Sequence, residues 1–227
     1  MYVIPNSMIE FLEFALFLPN MFLCVNVLLF VLLTVKTKKK THTILMVYLL
    51  AILGVQLYSA WLAFKGSYNL HISHFYFIIQ FLVLGYFYYI ICTQRLQKNL
   101  IKYSMTVCLL ILGIQYGIAP ETYFKFNNLE IFLTSYLLIV YALFHFYNLL
   151  SAKKSFLFFN IGLFFYLFGS TVLFLVGNLS AVIDIKSINF DINNILYFIF
   201  QLFVFMEWIQ LYFKKENSNP KKLNHGV

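Results

Sequence analysis

Long apolar runs alternate with short basic turns along this chain, and that alternation sets the predicted elements. A membrane-spanning helix needs about 20 mostly apolar residues. Seven stretches meet the requirement: 8–35, 42–64, 74–93, 103–119, 129–150, 155–178 and 192–213. The first is longer than a span and contains Pro19, which predicts a kink or an outer part lying at the interface. The fourth is the shortest and stops at Pro120, whose ring and missing amide hydrogen favour ending a helix. The predicted fold is an all-α integral membrane protein, a seven-transmembrane helix bundle over 1–213 with a short basic tail at 214–227.

Charge then orients the bundle. Lys and Arg collect in short cytoplasmic loops, so the cluster Lys36, Lys38, Lys39 and Lys40 marks the inner side. The next inner loops carry Arg95, Lys98 and Lys102, then Lys153 and Lys154, and the tail carries Lys214, Lys215, Lys221 and Lys222. Only Lys65, Lys125 and Lys186 fall outside. This bias predicts an N-terminus outside, a cytoplasmic C-terminus and a place in the cell's inner membrane. The N-terminus carries Glu10 and Glu13 instead of a positive n-region, so no cleaved signal is expected.

Composition excludes a soluble domain: 62% of the residues are hydrophobic, 11% are charged and the mean hydropathy is +0.83. The net charge of +8 lies in loops between spans and forms no patch on a folded domain, so the partner it implies is the lipid bilayer, not nucleic acid. Cys24, Cys92 and Cys108 sit within apolar segments without pair spacing and read as small buried residues. Nothing in the chain calls for a cofactor.

Polar side chains within apolar segments turn toward other helices or a wet cavity, because hydrocarbon cannot satisfy them. Thr134, Tyr141, His145 and Asn148 share one helical face, Asn194, Gln201 and Trp208 recur at steps of seven, and Asn160, Thr171 and Asn178 form a third stripe. At 1.5 Å per residue, Gln56, Gln80, Gln115 and Gln201 all lie roughly 20 Å from the basic end, and His145, Asn160 and Glu207 about 9 to 11 Å from it. Two uses fit. Helices five to seven, with glutamines from helices two to four, enclose a ligand pocket, or the amides only lock the packing. Under the first, the candidate ligand-binding residues are Gln80, His145, Asn160, Gln201 and Glu207. Glu207 is the only acid well inside an apolar segment, and Gln210 and Lys214 stand near enough in sequence to satisfy it.

His71 and His74, spaced i, i+3, are metal candidates if Glu10, Glu13 or Glu130 completes the set; otherwise they are interfacial histidines. Gly113 and Gly117 make a GxxxG step, which predicts close packing of the fourth helix inside the bundle. Asn178, Leu179 and Ser180 match a glycosylation sequon.

The run from Phe158 through Asn160, Gly162, Tyr166 and Gly169 to Ser170, followed by Leu173, Phe174, Leu175 and Asn178, resembles the sixth helix of small seven-transmembrane proteins common in the Bacteroidota. His74 with Gln80, and Asn193, Asn194, Tyr197 and Trp208, are similar too. Related modules resemble the membrane portions of bacterial sensor kinases. The resemblance implies a sensor or accessory signalling module that acts through a cytoplasmic or membrane partner. A membrane-embedded lipid-modifying hydrolase and a small-solute carrier are the alternatives.

Reporter fusions at the C-terminus and in the loops test the threading. A fluorescent reporter is expected to be active at the C-terminus and alkaline phosphatase at the loop around Ser67; activity of phosphatase at Lys40 would reverse the orientation.

Overall fold

Within hydrocarbon every backbone amide and carbonyl has to be paired inside the chain, and the helix does this within one segment. The computed structural model describes residues 6–151, 155–179 and 185–216, and the side chains of 17–150, 155–175 and 192–213. Its helices are α1 (Asn6–Thr37), α2 (Lys40–Phe64), α3 (Ile72–Ile91), α4 (Arg95–Ile118), α5 (Asn128–Ser151), α6 (Leu157–Leu179) and α7 (Ile185–Glu216). Seven are long and apolar enough to cross a membrane, which fits a multi-pass membrane protein. The Asn178 sequon and the side chains of Glu10 and Glu13 lie outside the described residues, as does the tail beyond 216.

Several helix ends differ from the sequence reading. α1 begins at Asn6 and includes Pro19 within the helix. α4 begins at Arg95, so the stretch expected to be a basic loop is the first two turns of a helix. A hydropathy window ends where charge begins, whereas a helix continues past it when long cationic side chains reach the interface. α7 starts at Ile185 and takes up much of the expected outer loop at 179–191. Elsewhere local chemistry sets the ends. Pro120 opens a 3-10 turn (Pro120–Phe124) directly after α4. At the end of α2, Gly66 takes φ +66°, which lets its N–H reach Ala63 O and that of Ser67 reach Leu62 O, closing the helix.

Neighbour contacts arrange six helices as a ring in the order α1, α2, α3, α5, α6, α7, with α7 returning to α1. α4 packs outside the ring on α3 and α5, and its contact stripe is Ile101, Cys108 and Leu112. The ring encloses a core rich in rings, including Phe30, Tyr48, Phe81, Phe87, Tyr88, Phe159 and Phe200, all nearly inaccessible. Outward faces are apolar as well: Leu28 and Leu32 are each 65% exposed and Ile118 80%, as expected of surfaces that meet lipid.

The GxxxG step does not pack inside the bundle. Gly113 and Gly117 lie on the outer side of α4, and a Cβ at either would meet nothing within 4 Å. On α6 two glycines allow close approach to α7. A Cβ on Gly162 would overlap the Cβ of Phe203 and lie 2.9 Å from its Cγ, and one on Gly169 would lie 2.7 Å from Leu196 Cδ1. Gly162→Ala is therefore expected to destabilise the protein by about 1–3 kcal/mol through overpacking. Gly113→Ala is expected to leave stability unchanged or raise it by up to about 1 kcal/mol. Unfolding of both variants in one detergent compares them directly.

Candidate functional site

Three polar assemblies occupy the interior. The first is at the basic end, where α5 passes into α6. Glu207 of α7 is fully buried and its carboxylate covers the start of α6. Oε1 accepts from the Phe156 amide at 3.0 Å, and Oε2 accepts from the amides of Phe158 at 3.0 Å and Phe159 at 3.3 Å. These are amides that a helix start leaves without partners, and the helix dipole favours a negative charge there. Phe156 has φ +58°, a conformation that costs a bulky residue about 1–3 kcal/mol. Its ring packs edge-on against Phe87 at 5.2 Å.

His145 donates from Nε2 to the Ser155 carbonyl at 3.0 Å, holding the same turn from α5. Asn160 donates to Ala142 O at 3.1 Å and accepts from the Tyr88 hydroxyl at 2.6 Å, tying α6 to α5 and α3. The structure thus brings His145, Asn160 and Glu207 together around one helix start. Glu207 is satisfied by backbone amides of another helix, a partner that side-chain spacing along α7 does not reveal.

The second assembly lies toward the far end, between α3, α4 and α5. His74 is buried, its Nε2–H donating to Tyr123 O at 3.0 Å and its Nδ1 lying 2.7 Å from Glu130 Oε2. The Tyr116 hydroxyl also donates to Glu130 Oε2 and receives Asn127 Nδ2 at 3.1 Å. Asn127 accepts from the Glu130 amide at 3.3 Å, capping α5, and exchanges hydrogen bonds with Gln115. Both ring nitrogens of His74 are engaged, and His71 stacks on Tyr68 with the Tyr123 ring tilted beside it. Among the described residues no three His, Cys, Asp or Glu side chains are placed to hold a metal.

The third assembly is a cavity of about 290 Å³ in the far half, between α2, α3, α6 and α7. Its polar wall includes Gln56, Ser59, Asn69, Ser73, Asn193 and Asn194. Tyr76 and Tyr166, joined hydroxyl to hydroxyl at 3.0 Å, line it together with Tyr197. Among the described residues no lining side chain carries a charge. Gln56 Oε1, Asn193 Oδ1, Asn194 Nδ2 and the Tyr197 hydroxyl are buried without a partner; the hydroxyl lies near Gln56 and Gln201 but makes no hydrogen bond of ordinary geometry. Buried polar groups are normally paired, so four such atoms around one space mark a place where something else supplies the partners.

The four glutamines predicted to share a level do not converge. Gln80 donates to the Tyr48 hydroxyl at 3.2 Å, Gln201 accepts from Asn26 at 2.8 Å, Gln115 faces Asn127, and only Gln56 lines the cavity. Neither Gln80 nor Gln201 does, and α5 contributes nothing to its wall. Equal depth on a ring of helices places side chains at one height without placing them side by side, and α4 stands outside the ring. Asn26, Tyr116 and Asn127 went unread in the sequence. Asn26 is an amide deep in an apolar run, and Asn127 with Glu130 has the spacing of a helix cap.

α7 connects the cavity to the basic end. Asn193, Asn194 and Tyr197 line the cavity, one further turn brings Gln201 onto Asn26 of α1, and Glu207 and Trp208 follow. Trp208 Nε1 donates to Leu29 O at 3.0 Å. No family model, curated protein or solved structure matches the chain.

Removing the Glu207 carboxylate leaves three buried amides without an acceptor, and Glu207→Ala is expected to cost about 3 kcal/mol or more. Glu207→Gln, which keeps one acceptor, is expected to cost less. Denaturant unfolding in detergent measures both; equal stability of wild type and Glu207→Ala would contradict the capping role.

Proposed function

We propose that this chain is a membrane sensor or accessory signalling module, with its basic end in the cytoplasm. A small uncharged polar molecule enters the far-side cavity, and α7 passes its occupancy to the α5–α6 turn. The supporting observation is the continuity of α7: three of the four residues that present unpaired groups to the cavity, Asn193, Asn194 and Tyr197, lie on the same helix as the carboxylate that holds the start of α6. The cavity volume is near the lower end of those that take small molecules, equivalent to about ten waters.

Among the described residues the lining is polar and uncharged, and this argues for the ligand class. A charged ligand would lose its hydration without gaining a counter-ion, whereas hydroxyl or amide groups would satisfy Gln56, Asn193, Asn194 and Tyr197. A ligand that competes for these groups alters how α7 sits against α6, where Gly162 and Gly169 leave no slack. The proposed output is a change at the lysine-bearing face, read by a cytoplasmic or membrane partner.

Hydrogen exchange in detergent, with glycerol, N-acetylglucosamine and glycinamide as probes, tests the coupling. An uncharged probe is expected to stabilise the protein and change protection of the Phe156, Phe158 and Phe159 amides. The response is expected to fall about tenfold in an Asn194→Leu/Tyr197→Phe variant, judged by the probe concentration needed. Glycinamide is cationic near neutral pH and serves as the charged control. Equal responses to all three, or binding that leaves the α6 start unchanged, would contradict the proposal.

A further inference from the structure

At the basic end a crevice of about 370 Å³ opens between α3 and α4, lined by Tyr86, Tyr89, Ile101, Lys102, Met105 and Leu109. Cations from two helices gather on it. Lys40, at the start of α2, holds its Nζ 5.3 Å from the centre of the Tyr86 ring, and Lys98 Nζ lies 5.8 Å from that of Tyr89. Lys102 forms part of the wall itself. Because α4 starts at Arg95, residues Arg95, Lys98 and Lys102 recur at i, i+3 and i+7 and fall on one stripe of a helix.

No described carboxylate answers this charge. Glu121 and Glu130 belong to the far end, and Glu207 is engaged by the amides of α6. The floor of the slot is apolar, with Met105 seated against α3: its Sδ lies 2.6 Å from where a Cβ on Gly85 would stand. From Ile101 to Leu109 the α4 wall of the slot rises about 12 Å, which carries it from the headgroup layer into hydrocarbon.

Positive charge at the mouth and an apolar slot behind it select an amphiphile with an anionic head. A soluble anion gains nothing from the slot, and a zwitterionic lipid gains little from three ammonium groups. We propose that this crevice binds one anionic glycerophospholipid, its phosphate between Lys40, Lys98 and Lys102 and one acyl chain along Met105 and Leu109. This site is separate from the cavity and does not depend on the sensing proposal.

Native mass spectrometry of the full chain in detergent, titrated with dioctanoyl-phosphatidylglycerol or dioctanoyl-phosphatidylcholine, tests it. The anionic lipid is expected to bind at least tenfold more tightly. Lys98→Gln/Lys102→Gln is expected to remove most of that preference, and Met105→Trp, which fills the slot, to weaken both lipids. Leu109→Trp replaces Met105→Trp if the latter unfolds, as judged by thermal melting. Lys36→Gln/Lys38→Gln removes the same charge from the same end, where Lys36 lies over the Tyr212 ring of α7, and is expected to change nothing. Equal affinity for the two lipids would overturn the site, as would an equal loss in the control pair or displacement of the lipid by free glycerol 3-phosphate.

Discussion

A carboxylate with no access to solvent, Glu207, receives three backbone amides at the start of α6, and the basic half of the bundle depends on that contact. A buried charge is expensive unless it is fully paired, and a helix start is expensive unless its amides find acceptors. Each group removes the other's penalty. The contact also holds Phe156 in a left-handed turn that its side chain would otherwise resist, while His145 fixes the preceding carbonyl from α5. Three helices therefore meet at a single turn, and α7 cannot shift along its axis without disturbing it.

Hydrogen bonds do most of the specifying in this interior, because hydrocarbon outside and aromatic rings inside are similarly apolar. Asn26 with Gln201 and Leu29 with Trp208 set how α7 sits against α1; Tyr88 with Asn160 joins α3 to α6. The His74, Glu130 and Tyr116 assembly closes the far end of α3, α4 and α5. The cavity differs in number: four unpaired polar atoms border one space, whereas Asn26 Oδ1 and Glu130 Oε1 are single unpaired atoms on side chains that are otherwise hydrogen-bonded.

Spans were legible in the sequence because apolar length is a direct consequence of bilayer thickness, and so was the inward facing of Thr134, Tyr141, His145 and Asn148, all buried. Helix ends were less so: Arg95 to Lys102 looks like a loop to any measure of hydropathy, yet forms two turns of α4. Depth along a helix could be computed, but rotation and neighbour order could not. For that reason Gln80 and Gln115 shared a level with Gln201 without sharing a site. Glu207 was noticed for its charge, but its partners are backbone amides, which carry no residue identity. Asn194 stood on the step-of-seven stripe of the seventh helix, whereas Asn193 entered only through a family resemblance; both line the cavity.

A density map of the full chain in lipid nanodiscs, at a resolution that shows side chains and ordered water, tests the link between cavity and turn most directly. It is expected to show the Glu207 carboxylate over the amides of Phe156, Phe158 and Phe159, and non-protein density between Gln56, Asn193, Asn194 and Tyr197. A Glu207 side chain turned away from α6, or a collapsed cavity whose amides pair with one another, would contradict it.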